Sequence, residues 1–114
     1  NVDQAPSSLS RMTSMLPSAD ADLMEIRRIV LRKLSPAGAQ VYLFGSYATG
    51  RALPSSDVDV ALLSSTPLPA GLLAEVREDL ENSLVPLRVD LVDLSETDES
   101  FRARVLREGI PWAA

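Results

Sequence analysis

The sequence predicts an α+β fold, a mixed β-sheet of three or more strands with helices packed mainly on one face. Three observations predict it. Apolar residues recur at helical spacing in two long segments, Asp20 to Leu34 and Gly71 to Leu84. Three short runs rich in β-branched and aromatic residues lie between and after them. The connection between the first two runs, from Gly45 to Asp57, is about a dozen residues, which is tight for the crossover that a wholly parallel sheet needs.

The elements follow in order. Residues 1–19 show no clean period and carry Pro6, Pro17 and many serines, so they read as an N-terminal arm that need not be fully ordered. A short helix near Leu9 to Leu16 is the other reading of that stretch. One domain then spans 20–114. Its first helix, Asp20 to Leu34, carries a stripe of Leu23, Ile26, Val30 and Leu34 flanked by Ile29. Asp20 and Asp22 at its start and Arg27, Arg28, Arg32 and Lys33 towards its end complement the helix dipole. Those basic residues form a solvated face on one reading and a phosphate-binding surface on another. Ser35-Pro36-Ala37-Gly38 stops the helix.

Val41 to Phe44 reads as a buried strand ending at Gly45-Ser46, and residues 46–51 suit a turn with one or two helical turns. Asp57 to Leu63 reads as the second strand. Pro67 and Pro69 mark a loop. The helix from Gly71 to Leu84 carries Leu72, Val76, Leu80 and Leu84 on one stripe. Pro86 to Leu94 is the third strand, and residues 97–108 form a short terminal helix ended by Gly109. Ile110-Pro111-Trp112 then reads as a docked tail, with Trp112 packed on its own domain or serving an interface.

Composition narrows the chemistry. At 114 residues one domain is expected, and 46% hydrophobic with 24% charged residues is ordinary for a globular protein. Cysteine and histidine are both absent. That excludes disulfides, thiolate and imidazole metal sites, Ser-His-Asp catalysis and any histidine base, and leaves carboxylates, hydroxyls, Lys/Arg and backbone groups. A net charge of −5 and a pI of about 4.6 are opposite to the balance of a non-specific DNA binder, so no direct DNA binding is expected. An acidic protein that handles nucleotides needs a divalent cation to offset phosphate repulsion. No apolar run approaches a bilayer span and no signal-peptide pattern is present, so a cytoplasmic setting without membrane contact is the expectation. The first residue is Asn1 rather than Met, so the numbering need not begin at the natural start.

The residues that carry chemistry are acidic. Side chains two apart on a strand share a face, which places Asp57 and Asp59 together, about 7 Å apart at the backbone. Two carboxylates on one face of an apolar strand repel unless a cation, a proton or water relieves them, and hard oxygen ligands suit Mg²⁺ or Mn²⁺. Taken alone, the pattern also fits a strand end with solvated aspartates. On the third strand Leu87, Val89 and Leu91 take one face, and Asp90 falls on the other with Arg88 and Val92. If that strand lies beside the second, Asp90 joins Asp57 and Asp59. Asp93 has the opposite parity and reads as a capping or turn residue. Phe44-Gly45-Ser46 leaves a strand for a helical turn, where glycine permits close backbone approach and serine offers a hydroxyl. The combination is the informative part: an anion-binding turn, ten residues, paired carboxylates, then a third carboxylate on another strand.

Gly45-Ser46, ten residues, then Asp57-Val58-Asp59 resembles the G-S-x10-D-x-D signature of the DNA polymerase beta-like nucleotidyltransferase superfamily. The stretch FGSYATGRALPSSDVDVALL (44–63) is similar to its minimal nucleotidyltransferase (MNT) branch, with Gly45, Ser46, Ala48, Gly50, Ser56, Asp57 and Asp59 matching the longer motif. VDLVDL (89–94) resembles the third motif and assigns its carboxylate to Asp90. The similarity covers about residues 22–112. Residues 1–20 have no counterpart in it, and no second helical domain of the kind that aminoglycoside nucleotidyltransferases use to hold the acceptor follows within these residues.

The resemblance implies a nucleotidyltransferase fold and a Mg²⁺-dependent transfer of AMP from ATP to an acceptor hydroxyl. Two metal ions would be held by Asp57, Asp59 and Asp90, with Asp90 helping to take the acceptor proton, and Gly45 and Ser46 would hold the β- and γ-phosphates. Arg51 reaches a phosphate, or serves a surface ion pair or a helix end; the sequence leaves these open. The branch further implies the antitoxin of a toxin–antitoxin pair, acting on a helical HEPN-type partner or working with a second copy of itself. Two other functions stand beside it: an antitoxin that neutralises a HEPN toxin by complex formation without essential catalysis, and a small-molecule nucleotidyltransferase.

Overall fold

The computed structural model of the chain describes residues 15–113. The arm expected over 1–19, with its alternative helix near Leu9, therefore lies outside the described residues as far as Met15. There the first helix, α1 (Met15–Leu34), already begins. It starts five residues before the expected Asp20, so Asp20 and Asp22 sit beyond the first turn, which holds no acidic residue. Arg32 and Lys33 do occupy the last turn.

After α1 come β1 (Gln40–Phe44), a single helical turn α2 (Ser46–Thr49), β2 (Val58–Leu63), α3 (Leu72–Glu81) and β3 (Val89–Asp93). A 3-10 turn (Leu94–Glu96), α4 (Glu99–Glu108) and β4 (Ile110–Trp112) complete the chain. The sheet is four-stranded and mixed, in the order β3-β2-β1-β4. β1 and β2 are antiparallel, which is how a connection as short as 45–57 joins them. β2 and β3 are parallel, and α3 is the crossover between them.

One face of the sheet carries the main core. Val58, Val60 and Leu62 of β2, Val41 and Leu43 of β1 and Leu91 of β3 pack against Ile26, Val30 and Leu34 of α1 and Val76 of α3. Several of these side chains are wholly buried, and each contributes roughly 1.5–3 kcal/mol of transfer free energy. Lys33 ties the two long helices at their surface, 2.9 Å from Asp79 and 3.5 Å from Glu75. The opposite face holds a smaller cluster of Ala61, Leu94 and Val105, with Tyr42, Phe44, Leu63 and Phe101 at its margin. Among the described residues, α4 and the 3-10 turn cover part of this second face.

Three expectations are corrected at this level. Leu84 does not extend the α3 stripe: the helix ends at Glu81, and Leu84 is fully exposed. Ser83 turns the chain there, its hydroxyl donating to the Leu80 carbonyl at 2.7 Å and accepting from Val85 N–H. Ile110-Pro111-Trp112 is a fourth strand, paired with Val41 to Leu43 of β1, and Trp112 packs against the main core. Asp57 lies one residue ahead of β2 rather than inside it. Among the described residues no helix is long and apolar enough to cross a membrane.

Candidate active site

The site is built where the end of β1 meets the starts of β2 and β3. Val58 and Val60 bury their side chains in the main core, so the residue between them, Asp59, projects from the opposite face. Its partner across the parallel ladder is Asp90, flanked by Val89 and Leu91, both of which face the main core. The two carboxylates therefore share one face and one row. Across the antiparallel ladder Asp59 is opposite Phe44, the residue before Gly45. Phe44, Asp59 and Asp90 thus form a single row across three strands, and the Gly45-Ser46 turn rises from its β1 end.

Gly45 has φ 77° and ψ −155°, a backbone conformation that side-chain-bearing residues rarely adopt. It is also the point of closest approach: a Cβ built there would collide with Asp59 Oδ2. The turn is then fixed from within. The Gly45 carbonyl accepts from Ala48 N–H at 3.0 Å, and the Ser46 carbonyl from Arg51 N–H at 2.9 Å. Between turn and strand, Leu53 N–H donates to the Ser56 hydroxyl at 2.8 Å, and Ser56 N–H donates to the Leu53 carbonyl at 2.9 Å. The motif serine Ser56 therefore spends its hydroxyl on holding the loop that delivers Asp57.

The electrostatics follow from the row. Burial pushes the Asp59 carboxyl above its ordinary range, and the charges of Asp90 and then Asp57 add to the rise. Among the described residues, none gives Asp57, Asp59 or Asp90 an ion pair. These are hard oxygen donors of the type that Mg²⁺ takes, and their mutual repulsion is what a divalent cation relieves. The donor chemistry and the Asp59–Asp90 register fit such an ion. The three side chains do not already form a closed cluster, and among the described residues no group of three or more acidic side chains stands ready to hold a metal. Like charges gain nothing by converging before a cation joins them.

Asp93 is placed elsewhere. It is in register with Leu62 on the helix-covered side, and its Oδ1 accepts from Ser95 N–H at 2.9 Å and from the Ser95 hydroxyl at 2.7 Å, capping the 3-10 turn. Arg51 is exposed and, among the described residues, makes no ion pair. Sequence reasoning missed the contribution of α4. Its Phe101 ring meets Phe44 edge-on at 5.7 Å, supporting the strand end beneath the turn, and the Arg104 guanidinium lies 5.4 Å above the same ring. The Phe101/Val105 spacing was the available signal, an i, i+4 pair that marks the helix face turned to the sheet.

Comparison with known proteins gives the family. Residues 23–112 match the nucleotidyltransferase domain family. The MntA protein of Haemophilus influenzae is 37% identical over 79 residues, covering 69% of this chain and 68% of that protein. The protein adenylyltransferase MntA of Shewanella oneidensis is 34% identical over 80 residues, covering 70% of this chain but only 57% of that protein. A solved structure assigned as a minimal nucleotidyltransferase superposes with a TM-score of 0.65 at 34% identity, over 78% of this chain and 91% of that one. A toxin–antitoxin complex crystallised with AMP-PNP gives 0.61 at 29% identity, over 82% and 72%. A tri-AMPylated Shewanella oneidensis HEPN toxin in complex with MNT antitoxin gives 0.59 at 25%, over 83% and 71%.

Proposed function

The chain belongs to the nucleotidyltransferase domain family, and from that premise we propose that it transfers AMP from ATP to a hydroxyl group of a helical HEPN-type protein, as the antitoxin of a toxin–antitoxin pair. One observation carries the reading. Asp59 is in register with Asp90 on one side and with the residue before Gly45 on the other, so a carboxylate pair and a phosphate-sized turn meet on one open sheet face. The relatives support the reaction type, since one is named a protein adenylyltransferase. The neighbours support the partner and the nucleotide: one holds an AMPylated HEPN toxin and another was crystallised with AMP-PNP.

In this reading Asp57, Asp59 and Asp90 are the residues that would hold Mg²⁺. Bound Mg²⁺ supplies charge neutralisation at the α-phosphate and a lowered pKa for the acceptor hydroxyl. Asp90 accepts the acceptor proton, which suits a chain without histidine. Ser46 donates its hydroxyl to a β- or γ-phosphate oxygen, Gly45 lets the backbone approach it, and Arg51 reaches the same phosphates from beyond the turn. The proposed domain takes in residues 20–114, with α1 running back to Met15, and the partner chain contributes an acceptor wall.

The test is intact-mass spectrometry of the partner co-expressed with this chain. One or more AMP increments that need ATP and Mg²⁺ are the expected result. A second reading, neutralisation by binding alone, rests on a neighbour that is an MntA–HepT toxin–antitoxin complex. A fully inhibited partner that stays unmodified, together with an Asp57→Asn/Asp59→Asn double variant that protects cells as well as the unaltered chain, would decide for it.

A further inference from the structure

The carboxylate row has two ends. The Gly45-Ser46 turn stands at the β1 end, and a cation, Arg88, stands at the β3 end. Leu87 and Val89 both pack against the main core, so Arg88 between them projects to the opposite face, the face of Asp90. Val58 N–H donates to the Arg88 carbonyl at 2.8 Å, which carries the parallel ladder back to Arg88, level with Asp57. Arg88 and Asp90 are thus two strand positions apart on one face, about 6.6 Å at the backbone.

Arg88 is exposed, and among the described residues it makes no ion pair. Nearby arginines are already committed. Arg77 donates to the Leu91 carbonyl at 3.2 Å and holds β3 itself, and Arg102 donates to the carbonyls of Leu94 and Thr97. Arg88 is left as a planar cation with unused donors at the border strand of the sheet, where among the described residues no further strand closes the approach.

In-line displacement decides which end the acceptor uses. The acceptor oxygen bonds to the α-phosphorus as the bond from that phosphorus to the pyrophosphate oxygen breaks, and the two oxygens lie on opposite sides of the phosphorus. In the reading above, pyrophosphate leaves over the Gly45-Ser46 turn and the acceptor proton passes to Asp90. The accepting hydroxyl therefore enters from the β3 end, and the groups that flank it pass over Arg88.

Resting on the nucleotidyltransferase reading, we infer that Arg88 is an acceptor-binding residue, which favours a hydroxyl with an anionic oxygen group, carboxylate or phosphate, beside it. A guanidinium holds either group through paired hydrogen bonds. The rival role is a counterweight to Asp57 and Asp90 that never meets the acceptor.

The test follows successive AMP additions by intact-mass spectrometry at limiting partner concentration. The partner is produced beside the Asp57→Asn/Asp59→Asn chain, so that it starts unmodified. Arg88→Gln is expected to slow at least one addition about tenfold, the loss of one charge-assisted hydrogen-bonding group, and to leave Mg²⁺-dependent ATP affinity by calorimetry unchanged. Arg88→Lys should recover part of the rate, and Arg107→Gln, which removes a surface charge elsewhere, should lose none. A slowed first addition marks a carboxylate of the partner as the anion. A normal first and slowed later addition marks the phosphate of a nucleotide already attached. Wild-type rates for every addition, an equal loss in Arg107→Gln, or altered ATP affinity in Arg88→Gln would overturn the assignment. An unaltered chain that adds no AMP at all would overturn the nucleotidyltransferase reading itself.

Discussion

Gly45 and Asp59 compete for one space: the position of a Cβ on Gly45 is filled by Asp59 Oδ2, with Asp59 Cγ 3.0 Å away. Gly45→Ala must displace either the carboxylate or the turn, and it also strains a backbone at φ 77°. We expect a stability loss of about 1–3 kcal/mol and a fall in AMP transfer of about a hundredfold or more, because misplacing a reacting group by about 1 Å has that effect. A thermal melt and an AMP-incorporation assay check the two parts. Wild-type transfer by a folded Gly45→Ala protein would show that the close approach is unimportant.

Asp57→Asn and Asp59→Asn should remove the Mg²⁺-dependent part of ATP binding while the fold persists, because neither side chain belongs to the main core. Calorimetry with and without Mg²⁺, beside a urea melt, measures this. Asp59→Asn should leave the melt equal or higher, since it removes a carboxylate whose ionised form is disfavoured by burial and by Asp90 and Asp57. ATP binding of equal strength with and without Mg²⁺ in the unaltered chain would contradict a metal role.

Asp90 and Asp93 separate chemistry from capping. Asp90→Asn should abolish AMP transfer with little change in stability. Asp93→Asn should keep most of the transfer and most of the stability, because its amide oxygen still accepts from Ser95, whereas Asp93→Ala should keep the transfer and cost about 0.5–2 kcal/mol, the usual worth of a lost cap. An inactive Asp93→Asn beside an active Asp90→Asn would reverse the assignment.

Lys33 gives a pH test away from the site. Its hydrogen bond to Asp79, aided by the charges of Asp79 and Glu75, raises its pKa above the ordinary lysine value. A raised folded value means the stabilisation is fully present below about pH 10.4, the unfolded value, and is lost as pH rises through the folded one. The gap in urea midpoint between the wild type and Lys33→Met should therefore be present at neutral pH and shrink as pH rises past the unfolded value and through the raised folded one. A gap that stays constant would show that the difference comes from the lysine stem and not from its charge.

Much of this fold was legible because its signals are local. The stripe of Ile26, Val30 and Leu34 and the alternation of Val58, Val60 and Leu62 each state a buried face without reference to the rest of the chain. The Asp59–Asp90 pairing was legible only conditionally: parity gave each side chain its face, but the parallel neighbour that brings them together is a non-local fact. The misses share that cause. Ile110-Pro111-Trp112 has no strand signal of its own and becomes β4 by pairing with β1. Leu84 keeps the helical spacing of α3, but Ser83 has already turned the chain. The role of α4 on the site face depends on Phe101 meeting Phe44, 57 positions away in sequence (101 − 44), which no periodicity reports.

The two borders of the sheet differ from its interior in a way that bears on how the chain behaves when crowded with copies of itself. β4 is three residues long with a proline at its centre, and proline offers no N–H to an incoming strand. β3, at the other border, carries Asp90 and Asp93 within five residues, one towards each face. Strand addition there would stack carboxylates of successive copies directly against one another. The acidic side chains of β3 thus have a consequence separate from nucleotide chemistry: they discourage edge-to-edge aggregation, and neutralising both at once should make the protein more prone to form fibrillar assemblies even where it still folds.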